Sequence, residues 1–390
     1  MSRNVPKLRF KGFDDEWRKG KLGDMSKIIM GQSPSSNAYN YNKEGLPLVQ
    51  GNADITKRIT TPRMYTTEIT KTCEIEDIIM SVRAPVGSIA IAKQRSCIGR
   101  GVCSIKAIGI NQKYLYQVLL GYEKKWLKIS QGSTFESINS NDIKGVMLNI
   151  PSLQEQEKIA NFLSKVDSII EKQERKVEYW NSYKKGMMQK IFSQKIRFKD
   201  GNGRDYPEWK INKIENIATI EMGFTPSTKN DEAWNGNIEW LSIAGMNSKY
   251  IYSGNKKISS EILGKRKLVP IDTLIMSFKL TIGRLAIVKK EIVTNEAICQ
   301  FYWKSKDISN EYMYAYLSVI NIESFGCRAA KGITLNTESL NSIVVKLPCL
   351  EEQTKIANFL SNIDNLIEKE SKKLEELKQW KKGLLQQMFV

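Results

Sequence analysis

Two stretches of this chain, residues 1–150 and 194–347, carry basic, amide and small hydroxyl residues together in the loops between short apolar runs. In the first stretch these are Gln32, Ser33 and Ser35; Asn52, Lys57, Arg58 and Arg63; Arg83; Arg95 and Arg100; and Gln131, Ser133 and Thr134. In the second they are Thr225, Ser227 and Lys229; Lys265, Arg266 and Lys267; Lys279 and Arg284; Asn295; and Lys331. An arginine fork matches the O6 and N7 acceptors of guanine, and Asn or Gln matches the adenine edge. Lys, Ser and backbone amides hold phosphate oxygens. The mixture suits base reading in duplex DNA, although any one such residue is also what a solvated loop carries.

The same residues say what chemistry is missing. The chain has no histidine, which removes Ser-His-Asp and Cys-His triads, His-ligated zinc and imidazole acid–base catalysis. Carboxylate or lysine catalysis stays open. Glu74, Glu76 and Asp77 are the acids nearest to a Mg²⁺-binding cluster, but they read rather as solvated residues flanking a strand. Six cysteines are scattered without a CxxC pair, which fits reduced thiols better than a disulfide framework. No Walker A loop, no [DN]-P-P-[YF] methyltransferase motif and no glycine-rich S-adenosylmethionine loop is present.

Sixty Lys and Arg against 42 Asp and Glu leave a formal charge of +18, a field that attracts a polyanion. Nucleic acid leads and a membrane surface competes. No stretch approaches the roughly 18 unbroken apolar residues of a spanning helix, and the polar start MSRNVPKLRFKGFDDEW lacks the apolar centre of a signal peptide. A cytoplasmic protein is expected.

The elements that must position the loops are written twice. PSLQEQEKIANFLSKVDSIIEKQ from Pro151 aligns with PCLEEQTKIANFLSNIDNLIEKE from Pro348, 15 of 23 residues being identical at an offset of 197. Looser echoes precede them: Lys7-Leu8-Arg9-Phe10-Lys11 with Lys195-Ile196-Arg197-Phe198-Lys199, Glu16-Trp17 with Glu208-Trp209, and Gly31-Gln32-Ser33-Pro34 with Gly223-Phe224-Thr225-Pro226. The expected layout is a domain over 1–150, a helix over 151–193, a second domain over 194–347 and a second helix over 348–390. The apolar runs around IIMSV, SIAIA, GVCSIKAI, IEWLSIA, LIMSF, RLAIV and AICQFYW read as strands. Helical patterns occupy Asn111 to Gln131 and Asn310 to Ile320, so each domain is expected to be α+β with a β-rich centre.

Pro151-Ser152 followed by Glu155 is a capping box, weakened in the second copy by Cys349. Beyond it, apolar residues recur every three and four positions: Leu163, Val166, Ile170, Val177, Trp180, Met187 and Ile191 in one helix, and Leu360, Ile363, Ile367, Leu374, Leu377, Leu384 and Met388 in the other. That period predicts a coiled coil. The stripes are broken by Gln173 and Lys184 and by Glu370 and Lys381. An antiparallel register in which paired numbers sum to about 554 sets Lys184 on Glu370, Gln173 on Lys381, Val177 on Leu377 and Ile170 on Leu384. Ile159, Phe162 and Ile169, with Ile356, Phe359 and Leu366, widen the stripe and are candidates for docking another protein. Gly186 and Gly383 allow a partner backbone to come close or are simply tolerated. About forty residues at 1.5 Å each make a helix roughly 60 Å long, a spacer with a domain at either end.

The phrases LQEQEKIANFLSKVDSIIEK and LEEQTKIANFLSNIDNLIEK, each running on to KKG and then MMQKIF or LLQQMF, resemble the helical regions of type I restriction–modification specificity subunits. The resemblance covers the whole layout, including a G-x-[ST]-P turn near the start of each domain. It implies a non-catalytic chain in which each domain reads half of a bipartite site and the helices set the gap. It further implies two adenine-methylating modification subunits on the helices, joined by restriction subunits. S-adenosylmethionine, ATP and Mg²⁺ would then belong to those partners. The alternatives are a carboxylate-dependent nuclease and a coiled-coil adaptor that ignores DNA.

Overall fold

Short β-branched runs closed by turn residues at both ends become strands here, and the long 3.5-residue patterns become two uninterrupted helices, Leu153–Phe192 and Leu350–Met388. The computed structural model describes residues 5–130, 137–329 and 332–389. The chain divides into two compact units: the residues through Arg175 together with those from Ser371 onward, and Lys176–Glu370. Each unit therefore holds one β-rich domain, half of the first long helix and half of the second. This is the expected α+β class, two pseudo-repeated domains with a long antiparallel helical pair.

In the first unit a mixed sheet runs in the order Ser26–Met30, Val102–Ala107, Ile78–Ser81, Ile89–Ile91, Ile59–Thr60, Ile55–Thr56. A second sheet of five short strands is centred on Leu46–Val49, which pairs parallel to Ser96–Ile98. The helix Gln112–Ser130 shares one apolar core with the first sheet, the start of the first long helix and the end of the second. In the second unit the order is Ala218–Met222, Ile298–Trp303, Leu274–Ser277, Leu285–Val288, Tyr250–Ile251, with a smaller sheet around Ile238–Leu241. The helix Asn310–Leu317 and both long helices close its core. Every predicted strand run is present; the strand order was not legible.

Each domain is locked to its long helix by one buried carboxylate. Glu155, 1% exposed, accepts from Arg9 Nε and one arginine arm at 2.8 Å each, and from the Trp17 indole at 3.2 Å. Glu352, fully buried, accepts from Arg197 at 3.2 and 2.8 Å and from the Trp209 indole at 2.9 Å. The expected capping box is thus half right. Ser152 Oγ takes the Glu155 N–H at 3.4 Å, while the carboxylate goes to a guanidinium, because a buried charge needs an opposite charge more than a helix start needs a second acceptor.

The antiparallel direction holds, and the register needs correcting. Within the second unit Lys184 Nζ meets Asp364 at 2.5 Å and Lys176 meets Glu370 at 2.6 Å; within the first, Lys381 meets Asp167 at 2.5 Å and Lys378 meets Glu174 at 2.7 Å. Lys184 therefore does not face Glu370, and Lys381 does not face Gln173. The expectation matched only residues that interrupt the stripes, whereas a four-carbon lysine stem reaches past the seam to an aspartate on its flank. Asp167 also accepts from Gln117 Nε2 at 2.7 Å. Lys381→Ala should cost about 1 kcal/mol in urea unfolding and Lys381→Glu about 2, while exchanging the two charges should recover part of the loss. Equal stability of all three variants would reject the register. A Cβ at Gly186 or Gly383 meets nothing within 4 Å, so among the described residues no other element packs against either glycine.

Candidate nucleic-acid interface

Four loops converge at one edge of the first domain, held there by backbone hydrogen bonds. Gly31 N–H donates to Val102 C=O (3.0 Å), Gln32 N–H to Ile98 C=O (2.9 Å), Gly99 N–H to Val49 C=O (2.9 Å) and Val82 N–H to Gly101 C=O (2.9 Å). The first of these loops begins at the G-x-[ST]-P glycine for a steric reason: a Cβ on Gly31 would lie 2.1 Å from Gly99 O. The loops enclose a cleft of about 590 Å³ whose lining includes Ser33, Gln50, Asn52, Arg83 and Arg100. Ser33 Oγ accepts the Arg100 N–H at 3.1 Å, and both guanidiniums are exposed.

The second domain repeats this ladder: Gly223 N–H to Ile298 C=O (3.3 Å), Phe224 to Thr294 (2.9 Å), Asn295 to Leu241 (2.9 Å) and Phe278 to Ala297 (3.0 Å). A Cβ on Gly223 would lie 1.9 Å from Thr294 O. The Thr225 hydroxyl donates to the Glu296 carboxylate. Arg266 sits 4.2 Å over the Phe224 ring and Lys279 5.3 Å over Phe278.

Of the expected readers, Ser33, Asn52, Arg83 and Arg100 line the first cleft, and Gln32 and Ser35 are exposed on the same loop. Thr225, Lys279 and Asn295 stand at the matching edge of the second domain. Others have structural work. Arg58 forks onto Glu123 and donates to Ile89 C=O, tying the helix Gln112–Ser130 to the sheet. Arg63 meets Asp54 at 2.9 Å, and Asp54 in turn accepts the Gln50 N–H at 2.8 Å, so Arg63 helps to shape the loop. Arg95 pairs with Glu74, and Arg284 donates to Ile243 C=O at 3.1 Å. Asn295 Oδ1 accepts the Ala297 N–H, and Ser227 Oγ the Lys229 N–H. Lys229, Lys265 and Lys267 are exposed. Gln131, Ser133, Thr134 and Lys331 lie outside the described residues.

Sequence reasoning missed Gln50, Glu296 and Leu280. Gln50 ends the run LPLVQ, and Glu296 is an acid in a basic set. Leu280 is 94% exposed at φ 62°, an apolar tip of the kind that packs on a thymine methyl. Aligning the two domains outward from their G-x-[ST]-P turns would have found the first two.

The family profile for the type I restriction modification DNA specificity domain matches residues 14–179 and again 206–379. This chain belongs to that family. The type I restriction enzyme MjaVIII specificity subunit of Methanocaldococcus jannaschii is 24% identical over 405 residues, covering 95% of this chain and 91% of that one. A protein of the same archaeon provisionally assigned as the MjaX specificity subunit is 35% identical over 192 residues, but the match spans only 47% of this chain and 44% of that one. The crystal structure of a type I S subunit from M. genitalium superposes with a TM-score of 0.58 at 14% identity, covering 99% of both chains. At that identity it shows the shared fold alone.

For a specificity-subunit chain the remaining question is which apolar surface is left over. Ile159 and Ile356, expected to dock partners, are buried in the cores of their own units. Phe162 packs edge-on against Phe10 and Trp380, and Phe359 against Phe198. The segments Leu8-Arg9-Phe10 and Ile196-Arg197-Phe198 fold back over this face, which the helical pattern alone could not reveal. Ile169 and Leu366 stay 48% and 38% exposed. Of the acids weighed as metal ligands, Asp77 is buried and accepts from Ser104 Oγ and the Glu74 N–H, Glu74 pairs with Arg95, and Glu76 is exposed. Among the described residues no group of three or more Cys, Asp or Glu could hold a metal ion, and no helix is long and apolar enough to cross a membrane.

Proposed function

We propose that this chain chooses the DNA site for a type I restriction–modification complex and performs no catalysis itself. Each domain reads one half of a bipartite site through the loops around its G-x-[ST]-P turn. The two long helices set the gap between the half-sites. Ile169 and Leu366 offer contact to two modification subunits. Adenine methylation requires the base to be flipped into a pocket, and that pocket, with S-adenosylmethionine, lies on the modification subunit; ATP and Mg²⁺ serve the restriction subunits. A cytoplasmic setting follows from that role.

One observation carries this reading: the same loop scaffold is built twice, backbone bond for backbone bond, while the side chains on it differ between copies. A scaffold repeated with different readers is what an asymmetric split site requires. The purified chain should bind duplex DNA with an affinity that falls about 10³-fold or more between 50 and 200 mM salt, as expected when six or more phosphates are neutralised. Plasmid incubated with the chain and Mg²⁺ should stay intact. Salt-insensitive binding would favour the adaptor, and cleavage without partners the nuclease.

A further inference from the structure

The strand registers align the two rims residue by residue. In the first domain Val102 pairs with Ser81 and Cys103 with Met30; in the second Ile298 pairs with Ser277 and Cys299 with Met222. Two positions before each central strand stand Arg100 and Glu296, two positions after each neighbouring strand stand Arg83 and Lys279, and three positions after the first strands stand Ser33 and Thr225. The supporting bonds agree. Ser81 Oγ donates to Pro85 C=O and accepts the Ser88 N–H, while Ser277 Oγ donates to Thr281 C=O and accepts the Arg284 N–H. At one place in a common frame, then, the side chain is a guanidinium in one domain and a carboxylate in the other.

We propose that this position reads one base pair in each half-site, Arg100 selecting guanine and Glu296 selecting cytosine. The inference rests on the DNA-reading function proposed above. Arg100 is exposed beside Arg83 on the cleft, and Ser33 fixes its backbone, so its fork is free to meet O6 and N7 of guanine. Glu296 is exposed on the equivalent edge, which also carries Arg266 over Phe224 and Lys279 over Phe278. A carboxylate there repels phosphate and every acceptor on a base edge, so it must meet a donor, and the cytosine N4 amino group is the donor it matches. The Thr225 hydroxyl holds the carboxylate in place and leaves it further lone pairs to accept with. The two domains therefore take a G·C pair in opposite orientations relative to their own scaffold.

The test is selection from a random duplex pool by the full chain with its modification subunit, comparing wild type, Arg100→Gln and Glu296→Gln. Arg100→Gln should move one position of the first half-site from guanine toward adenine, with discrimination there falling about 10-fold or more, and leave the second half-site unchanged. Glu296→Gln should release a cytosine position in the second half-site only. Arg100→Lys, which keeps the charge, serves if the glutamine variant selects nothing, and should widen that same position. An unchanged motif overturns the proposal. So does uniform weakening on all sequences with a lower salt slope, which would mark a phosphate contact, and so does loss of all selection in both Arg100 variants. A wild-type complex that selects no bipartite sequence would instead overturn the function on which the proposal rests.

Discussion

Glu352→Ala is expected to lower the stability of the second unit by about 3 kcal/mol, and Glu155→Ala to do the same to the first. Each change leaves a guanidinium and an indole N–H in a largely buried place without their acceptor, and breaking a buried ion pair typically costs 3–5 kcal/mol. The partial exposure of Arg9 and Arg197, 14% and 21% at the side chain, sets the estimate at the lower end. Replacing the pair together, as Arg197→Met with Glu352→Met, should restore most of the loss, because no charge is then stranded. Urea unfolding followed by hydrogen exchange of the amides in each unit checks this directly. A loss below 1 kcal/mol for the alanine variants would show that these carboxylates do not anchor the domains.

Gly223→Ala should remove reading of the second half-site while sparing the first, and Gly31→Ala should do the converse. Neither glycine needs an unusual φ; what each needs is the absence of a Cβ, since the added carbon would sit about 2 Å from a carbonyl oxygen of the facing loop. Backbone, unlike a flexible side chain, cannot yield cheaply, so a cost of about 3 kcal/mol or more is expected, with the loops driven apart. Binding to duplexes that carry one half-site only would separate the two effects. Ordinary affinity of Gly223→Ala for its half-site would mean that the turn does not shape the rim.

The strands, the long helices and their antiparallel direction were legible in the sequence because each leaves a periodic or repeated trace. Contacts without a period were not. Arg9, Trp17 and Glu155 each belong to a recognisable echo, with Arg197, Trp209 and Glu352 as their counterparts, yet nothing in their spacing says that a residue near position 10 closes on one near 155. The helix register failed for a related reason: Asp167 and Asp364 flank the seam rather than interrupt it, so a search for matched interruptions passed over them. The rim was half legible. Residue types pointed to Arg83 and Arg100 and equally to Arg58 and Arg63, and only the fold shows that the latter two are bound by Glu123 and Asp54.

Mapping methylated adenines in a host that co-expresses this chain with its modification subunit, before and after exchange of residues 194–347 for another such domain, bears most directly on the division of labour between the two domains. One bipartite motif is expected, and the exchange should rewrite one half of it while the other half and the methylated strand pattern persist. A continuous motif, or an exchange that rewrites both halves, would contradict the account.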